Sequence, residues 1–486
     1  MTVSHDLAPQ REGTFFGQPR VLANLFGVEM WERFSFYGMQ GILLIYLYHS
    51  AAEGGLGMDK ATAAGIVGAY GGAVYLSTIL AAWVADRMIG AERTLFFAAW
   101  LVMAGHIALA VLPGFVGVGV GLVLIALGSG GVKANATSLV GSLYEEGDVR
   151  RDAGFSLFYM GINIGALVGP LLTGVLQQRW GFHVGFALAA VGMAAGLVQY
   201  SIGRKNLPEA AHHVANPLPA GGGLRYGLVA VAGLTLVGVA VATGLVTAAN
   251  LSDAVAGLSA VSAVVLFAII LSSSAISAVE RRRVWAMVPM FIASAVFWSL
   301  YQQQFTVLTV FADERLDRNL FGWVMPIPWV QSINPVFIII FAGVFAVLWT
   351  KWGERQPSAP VKFGLGTIGV GLAFWLFLLM PDGVNTAPLW LLAVILLVFT
   401  FSELLLSPVG LSLSTKLAPK QFTTQMVALF FLSVALGPAM SGSLAGCYDV
   451  NDEQPFFLWV GAASIAVGVV MLLATKPIKA LMSGVR

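Results

Sequence analysis

Fourteen apolar segments of about twenty residues each follow one another along this chain. An α-helix rises 1.5 Å per residue, so about twenty apolar residues span the roughly 30 Å hydrocarbon core of a bilayer. The segments run roughly over 22–48, 62–84, 94–113, 115–139, 153–177, 184–203, 224–250, 254–278, 284–311, 327–350, 361–380, 388–415, 422–446 and 455–475. The chain is therefore read as an all-α polytopic membrane protein. Composition supports this: 58% of its 486 residues are hydrophobic and 10% are charged, against about 25% charged in a soluble chain. A water-soluble enzyme is excluded. The single cysteine, Cys447, excludes an internal disulfide and a Cys-based zinc site. The first twenty residues are polar and lack the apolar core of a secretory signal, so the first hydrophobic helix is expected to stay in the mature protein.

Basic residues give a direction. With the N-terminus cytoplasmic, the inner side holds Arg11, Arg20, Arg87, Arg93, Arg150, Arg151, Arg204, Lys205, Arg225, Arg281, Arg282, Arg283, Lys351, Arg355, Lys362, Lys416, Lys420, Lys476, Lys479 and Arg486. The outer side holds only Lys60, Arg179, Arg315 and Arg318; Arg33 and Lys133 fall inside helices. A wrong helix count would scramble that twenty-to-four division. Both termini are thus expected on the cytoplasmic side. Residues 204–223 are rich in Pro, Gly, Ala and His and read as a linker. The two segments after it are Ala-, Val-, Gly- and Leu-rich and, past Arg225 at their start, carry only Asp253, placed in the turn between them. They read as a hairpin inserted between two six-helix halves, although membership of the main bundle stays open. The domain reading is a first half at 1–203, linker and hairpin at 204–283, and a second half at 284–486.

Five charged residues lie well inside helices: Glu29, Glu32, Arg33, Lys133 and Glu403. A charge at mid-membrane costs about 2.5–3.5 kcal/mol on insertion scales. Each such residue needs a partner, a water-filled cavity or a proton. Glu29 is spaced i, i+4 from Arg33 and i, i+3 from Glu32, so it lies beside both on a helix. Lys133 is the cation placed to approach from another helix. Glu403 stands alone, with Pro408 expected to interrupt its helix and free carbonyls near it. A static cluster clipping two helices together would explain one ion pair. Two carboxylates sharing one arginine leave one of them poorly compensated and able to bind a proton. Tyr75, Asn135, Tyr159, Asn163, Gln302, Gln303 and Asn334 add polarity unsuited to a lipid face, although each alone could be an interhelical hydrogen bond.

The segments EMWERFSFYGM (29–39), VYLSTILAAWVADRMIG (74–90), GSGGVKANATSLVG (128–141), FSLFYMGINIGALVGPLLTG (155–174), FWSLYQQQ (297–304), QSINPVFIIIF (331–341) and FSELLLSPVGLSLSTKLAP (401–419) together resemble the proton-dependent oligopeptide transporters, a branch of the major facilitator superfamily. The resemblance implies a major facilitator fold of two six-helix halves, with two extra helices between them as in bacterial members. It implies that Glu29, Glu32 and Arg33 couple protons to transport together with Lys133, and that Arg33 and Lys133 meet a peptide carboxylate. Glu403 is implied to meet the peptide amino terminus, near Ser407. Tyr37, Tyr75, Asn135, Tyr159, Asn163, Trp298 and Asn334 match positions implied to line the central pocket. Asp86, Arg87 and Gly90, in AWVADRMIGAERT, resemble a cytoplasmic conformational clamp of major facilitator transporters; LWTKWGERQPS in the second half is a degenerate echo.

Three positions depart from the pattern. Gln40 stands where many relatives have Arg, Gln302 where many have a carboxylate, and Phe430 where a Trp is usual. The first two can form an ion pair between the halves in such relatives, so losing both charges together is electrostatically consistent. It moves the proton burden onto Glu29, Glu32 or Glu403. The expected function is import of di- and tripeptides with protons, by alternating access, as a monomer in a bacterial inner membrane. Protons are the coupling ion, and no cofactor, metal or nucleic acid is expected. The alternative is a same-fold symporter of another solute, such as nitrate, a modified amino acid or a peptide-like drug. An enzyme finds little support. No H-E-x-x-H, G-x-S-x-G or P-loop pattern occurs. Of the histidines His5, His49, His106, His183, His212 and His213, only His106 lies within a helix, where it reads as a hydrogen-bonded interior residue.

Overall fold

The computed structural model describes residues 14–145, 148, 150–214, 216–219 and 222–485. His5, Arg11, Arg486 and both chain ends lie outside the described residues. The first half is α1 (Leu22–Tyr48), α2 (Lys60–Val84), α3 (Ala91–Val111), α4 (Gly114–Gly141), α5 (Arg151–Trp180) and α6 (Phe182–Gly203). Then come α7 (Gly222–Ala242) and α8 (Leu251–Ser272). The remainder is α9 (Ala278–Tyr301), α10 (Val307–Glu314), α11 (Ile333–Trp352), α12 (Ala359–Leu376), α13 (Leu389–Lys416), α14 (Thr423–Ala445), α15 (Gln454–Leu473) and the short α16 (Thr475–Leu481). Thirteen helical spans among the described residues are long and apolar enough to cross a membrane. The fourteenth is α1, whose 27 residues suffice in length and which only its polar residues set apart.

Local chemistry sets the ends. Asp59 caps α2 by accepting hydrogen bonds from the Ala61 and Thr62 amides, which hold its carboxyl below the usual range. Ser277 and Glu280 form a capping box on α9. Gly90 and Gly181 turn the chain between α2 and α3 and between α5 and α6 at φ +86° and +91°, where a side chain would be strained. Two two-residue hairpins complete the structure, Thr14–Phe15 with Gln18–Pro19 and Asn319–Leu320 with Trp323–Val324.

Four expectations are corrected. The segment read as 284–311 is not one helix: α9 ends at Tyr301, Gln302–Phe305 form a 3-10 turn, and Thr306 leaves helical geometry at φ −122°, ψ −96°. The break is held from α14, because the Gln303 amide donates to the Ser441 carbonyl and the Thr306 hydroxyl lies 2.8 Å from Ser441 Oγ. Pro408 does not interrupt α13, which runs continuously from Leu389 to Lys416; a helix inside a membrane bundle tolerates the one amide that a proline lacks. The first hairpin helix ends at Ala242 rather than near 250, with Gly244 at φ +74° turning the chain away. Asp253 lies in the first turn of α8, not between the helices, and its Oδ1 accepts from Ser443 Oγ of α14 at 2.5 Å. No residue of α7 is buried, whereas α8 packs against α2 and α14.

The ends of the helices sort onto two faces. One, the basic face, gathers the α2–α3 turn, the end of α6, the start of α9 and the α13–α14 turn; Glu92 pairs there with Arg204, and the Lys420 amide donates to Glu280. The opposite face gathers the α1–α2 turn, α10 and the segments before α13 and α15, where Arg315 pairs with Glu453 at 3.1 Å and donates to the Pro381 carbonyl. Between the faces, apolar side chains such as Phe97, Trp100, Leu228 and Val237 point outward, as a lipid-facing surface requires.

One packing detail places the charged helix. Gly161, Gly165 and Gly169 form a row on α5 against α1. A Cβ on Gly165 would fall 2.8 Å from the Phe34 amide nitrogen, and one on Gly169 3.0 Å from that of Gly38. Small residues at i, i+4 and i+8 let two helix backbones approach closely in a membrane. Thr173 locks the pair by donating to the Gly38 carbonyl at 2.9 Å.

Candidate functional site

On α1, Glu29, Glu32 and Arg33 are all buried. Arg33 Nε lies 3.0 Å from Glu29 Oε1 and 2.7 Å from Glu32 Oε2. The first contact is the expected i, i+4 pair. The second joins sequence neighbours, which helix geometry turns away from each other; the length of the two side chains allows it. Ser129 of α4 donates to Glu32 Oε1. Arg33 Nη2 and Glu29 Oε2 have no hydrogen-bond partner among the described residues. The cluster therefore holds one cation between two anions, with a spare donor and a spare acceptor.

Lys133 makes no ion pair among the described residues; its Nζ sits 3.9 Å over the Tyr75 ring. Arg33, Tyr37, Gln40, Tyr75, Lys133 and Gln302 line one recess, with Phe305 stacked on Tyr37. Gln40 and Gln302 thus meet at the same recess, and both are uncharged.

Glu403 is the group from the second half. Its Oε2 lies 2.5 Å from the Tyr301 hydroxyl, which is also 2.9 Å from Asn334 Oδ1. Asn334 Nδ2 donates to Thr400. The one Tyr301 proton faces two acceptors, so either the carboxylate or the amide takes it. Tyr301 thus holds Glu403 beside Gln302, which lines the recess. The first half therefore brings Arg33 and Lys133 to the recess, and the second half holds one buried carboxylate near it.

Other expected residues stand further back. Asn135 and Asn163 turn their amides onto their own helices, donating to the Gly131 and Tyr159 carbonyls at 2.8 and 2.9 Å, which leaves each oxygen and one N–H for a ligand. Trp298 packs against Tyr301, Phe430 is buried against Phe431, and Ser407 is half-buried. The clamp residues meet the linker: the Asn216 amide donates to the Asp86 carbonyl and the Leu218 amide to that of Arg87, beside the Gly90 turn. His106 is fully buried, yet neither ring nitrogen has a partner among the described residues, which corrects the expected hydrogen bond. The α3–α4 contact around it is built from glycines and aliphatic side chains, such as Gly105 against Gly121 and Ile125.

Ser129 and Tyr301 were not singled out from the sequence. Ser129 lies one helical turn before Lys133, a spacing that points to the same face. A third missed group joins the halves at the opposite face. Asp313 Oδ2 accepts from Tyr48 at 2.6 Å and lies 2.9 Å from His49 Nε2; Arg318 is 3.5 Å from Oδ1, and Lys60 pairs with Glu314. Trp329 and Ser332 reach the Leu171 and Leu167 carbonyls of α5. Among the described residues these links between α1–α6 and α9–α15 lie at or toward the opposite face and tie the halves together there. Replacing both carboxylates (Asp313→Asn with Glu314→Gln) should loosen the tie by about 1–2 kcal/mol, the sum expected of exposed and part-buried pairs. Spin labels on the 51–53 turn and the 319–324 hairpin, with Cys447 replaced, should report a longer separation. An unchanged distance distribution would place the tie in α2–α14 packing instead.

The sequence profile of the POT family matches residues 92–464. The chain belongs to the POT family. An uncharacterized transporter of Bacillus subtilis, YclF, is 44% identical over 97% of this chain and 96% of its own length. A di-/tripeptide transporter of Lactococcus lactis subsp. cremoris is 40% identical over 98% and 99%. A crystal structure of a mutant peptide transporter POT in complex with alafosfalin superimposes with a TM-score of 0.92 at 41% identity, covering 97% of this chain and 98% of that one. As a POT family member the chain is a transporter, not an enzyme, and has the major facilitator fold with two extra helices.

Proposed function

We propose that this chain imports di- and tripeptides together with protons by alternating access, as a monomer in a bacterial inner membrane, with its basic face cytoplasmic. The observation that carries this reading is the pairing of Arg33 by two buried carboxylates, while Lys133 makes no ion pair among the described residues and the second half holds a buried carboxylate, Glu403, on Tyr301. A zwitterionic peptide has one anionic and one cationic end, and these groups offer each its counter-charge. A ligand that bridges both halves binds the occluded state better than the open one, the differential contact a conformational change needs. A proton on Glu29 or Glu32 releases Arg33 toward the peptide carboxylate, so peptide and proton load together.

The test is uptake by purified protein in proteoliposomes. One net positive charge moved inward at 100 mV contributes about 2.3 kcal/mol. Dipeptide uptake should therefore respond to an inward proton gradient and to an inside-negative potential separately. Uptake indifferent to both overturns the proposal. The uncharged Gln40 and Gln302 and the Phe430 position favour, as the second reading, a solute other than a peptide. Competition against a labelled dipeptide by nitrate, modified amino acids and peptide-like drugs separates the two.

A further inference from the structure

A second group of charges lies outside the transport path, where α3 begins and α6 ends side by side on the basic face. Glu92 is buried there and takes both Arg204 contacts, Nε at 2.6 Å and Nη2 at 3.0 Å. The Arg204 guanidinium also lies 3.9 Å over Phe96, and His212 Nδ1 is 3.5 Å from Glu92 Oε2. Glu92 thus neutralises Arg204 and ties the linker to α3. Arg93 and Lys205 line an open cavity with these groups and Ser201. Neither Arg93 nor Lys205 has an ion-pair partner among the described residues. Arg93 and Lys205 thus bring to the cavity two positive charges that no carboxylate pairs among the described residues.

The apolar surface beside it completes the pattern. Phe97 and Trp100 follow Arg93 at helical spacings of four and seven on α3. Ile202 and Val198 precede Lys205 by three and seven toward and along α6. All four are exposed. Each basic residue therefore heads an apolar strip that runs into the membrane. A phosphate could come from a lipid or from solution, but only a lipid meets both the charges and the strips. We propose that this cavity binds the headgroup phosphate of an anionic phospholipid from the leaflet at the basic face, its acyl chains lying along α3 and α6. Basic pockets between helices on the positively charged side of a membrane protein suit such headgroups.

The experiment is native mass spectrometry of the full chain released from detergent, with phosphatidylglycerol or phosphatidylcholine added. One phosphatidylglycerol should be retained per chain in preference to phosphatidylcholine. Arg93→Ala with Lys205→Ala should weaken that retention about thirtyfold, two basic contacts being lost. The pair Arg281→Ala and Arg282→Ala, equally basic but elsewhere, should leave it unchanged, with melting temperatures reporting that both variants fold. Equal retention of the two lipids by the unmodified chain overturns the proposal without recourse to any variant. So does undiminished phosphatidylglycerol retention after loss of Arg93 and Lys205. Displacement by millimolar inorganic phosphate overturns it in favour of a soluble anion.

Discussion

Glu32→Gln abolishes proton-driven accumulation of dipeptide and spares counterflow. Glu32 is fully buried, pairs with Arg33 and accepts a hydrogen bond from Ser129. Glutamine has nearly the same shape and keeps an oxygen for Ser129, but it cannot exchange a proton. Arg33 keeps Glu29 as a partner, so the substitution does not strand a buried cation, which would cost about 3–5 kcal/mol. The variant resembles the proton-loaded state permanently. Peptide can then bind and exchange across the membrane, but no proton moves with it. For one proton per peptide, a gradient of one pH unit supplies about 1.4 kcal/mol and 100 mV about 2.3 kcal/mol, together roughly a 500-fold accumulation. The expected ratio for Glu32→Gln is about one, with counterflow insensitive to external pH. Accumulation at the unmodified level would remove Glu32 from the coupling step and leave Glu29 or Glu403 to carry the proton. Ser129→Ala is the milder companion. It removes one donor to the carboxylate and should change the pH profile of uptake rather than abolish it.

Much of this site is legible before folding because it violates the rule of its surroundings. A charged residue in a segment that must cross a bilayer needs a reason, so Glu29, Glu32, Arg33, Lys133 and Glu403 stand out from spacing and hydropathy alone. Their grouping is less legible. Arg33 pairing with its neighbour Glu32 depends on side-chain reach, which helix periodicity does not describe. Ser129 and Tyr301 are ordinary residues until the fold brings one to Glu32 and the other to Glu403. The Gly161, Gly165 and Gly169 row is visible as a pattern, but the identity of its partner helix requires the structure. The group formed by Tyr48, His49, Lys60, Asp313, Glu314 and Arg318 sits near helix ends, where polar residues are expected and carry no signal. The break after Tyr301 is less legible: Gln302, Gln303 and Gln304 interrupt the apolar run, but three polar residues inside a span do not by themselves end a helix, and the cause lies in Ser441 of another helix.

Glu403→Gln should weaken binding of dipeptides with a free amino terminus by about 2–4 kcal/mol, roughly thirty- to a thousandfold, the range for truncating one partner of a buried charge pair. The fold should tolerate the change. The glutamine oxygen can still accept from Tyr301, and Asn334 keeps its bond to Thr400. What is lost is the one buried carboxylate that the second half holds near the recess, and with it the counter-charge for an ammonium group. The measurement that isolates this role is competition against a labelled dipeptide by the same peptide with a free and with an acetylated amino terminus. The unmodified protein should prefer the free amine strongly, because an acetylated end leaves the carboxylate without its partner. The variant should lose that preference, with the acetylated peptide nearly unaffected by the substitution. If both peptides weaken equally, Glu403 supports the recess through Tyr301 and Asn334 and does not meet the amine. If the preference persists at full strength, the amino terminus is held elsewhere, and its site has to be sought among the carbonyls of α13 around Leu404, which Pro408 leaves without its helical amide partner.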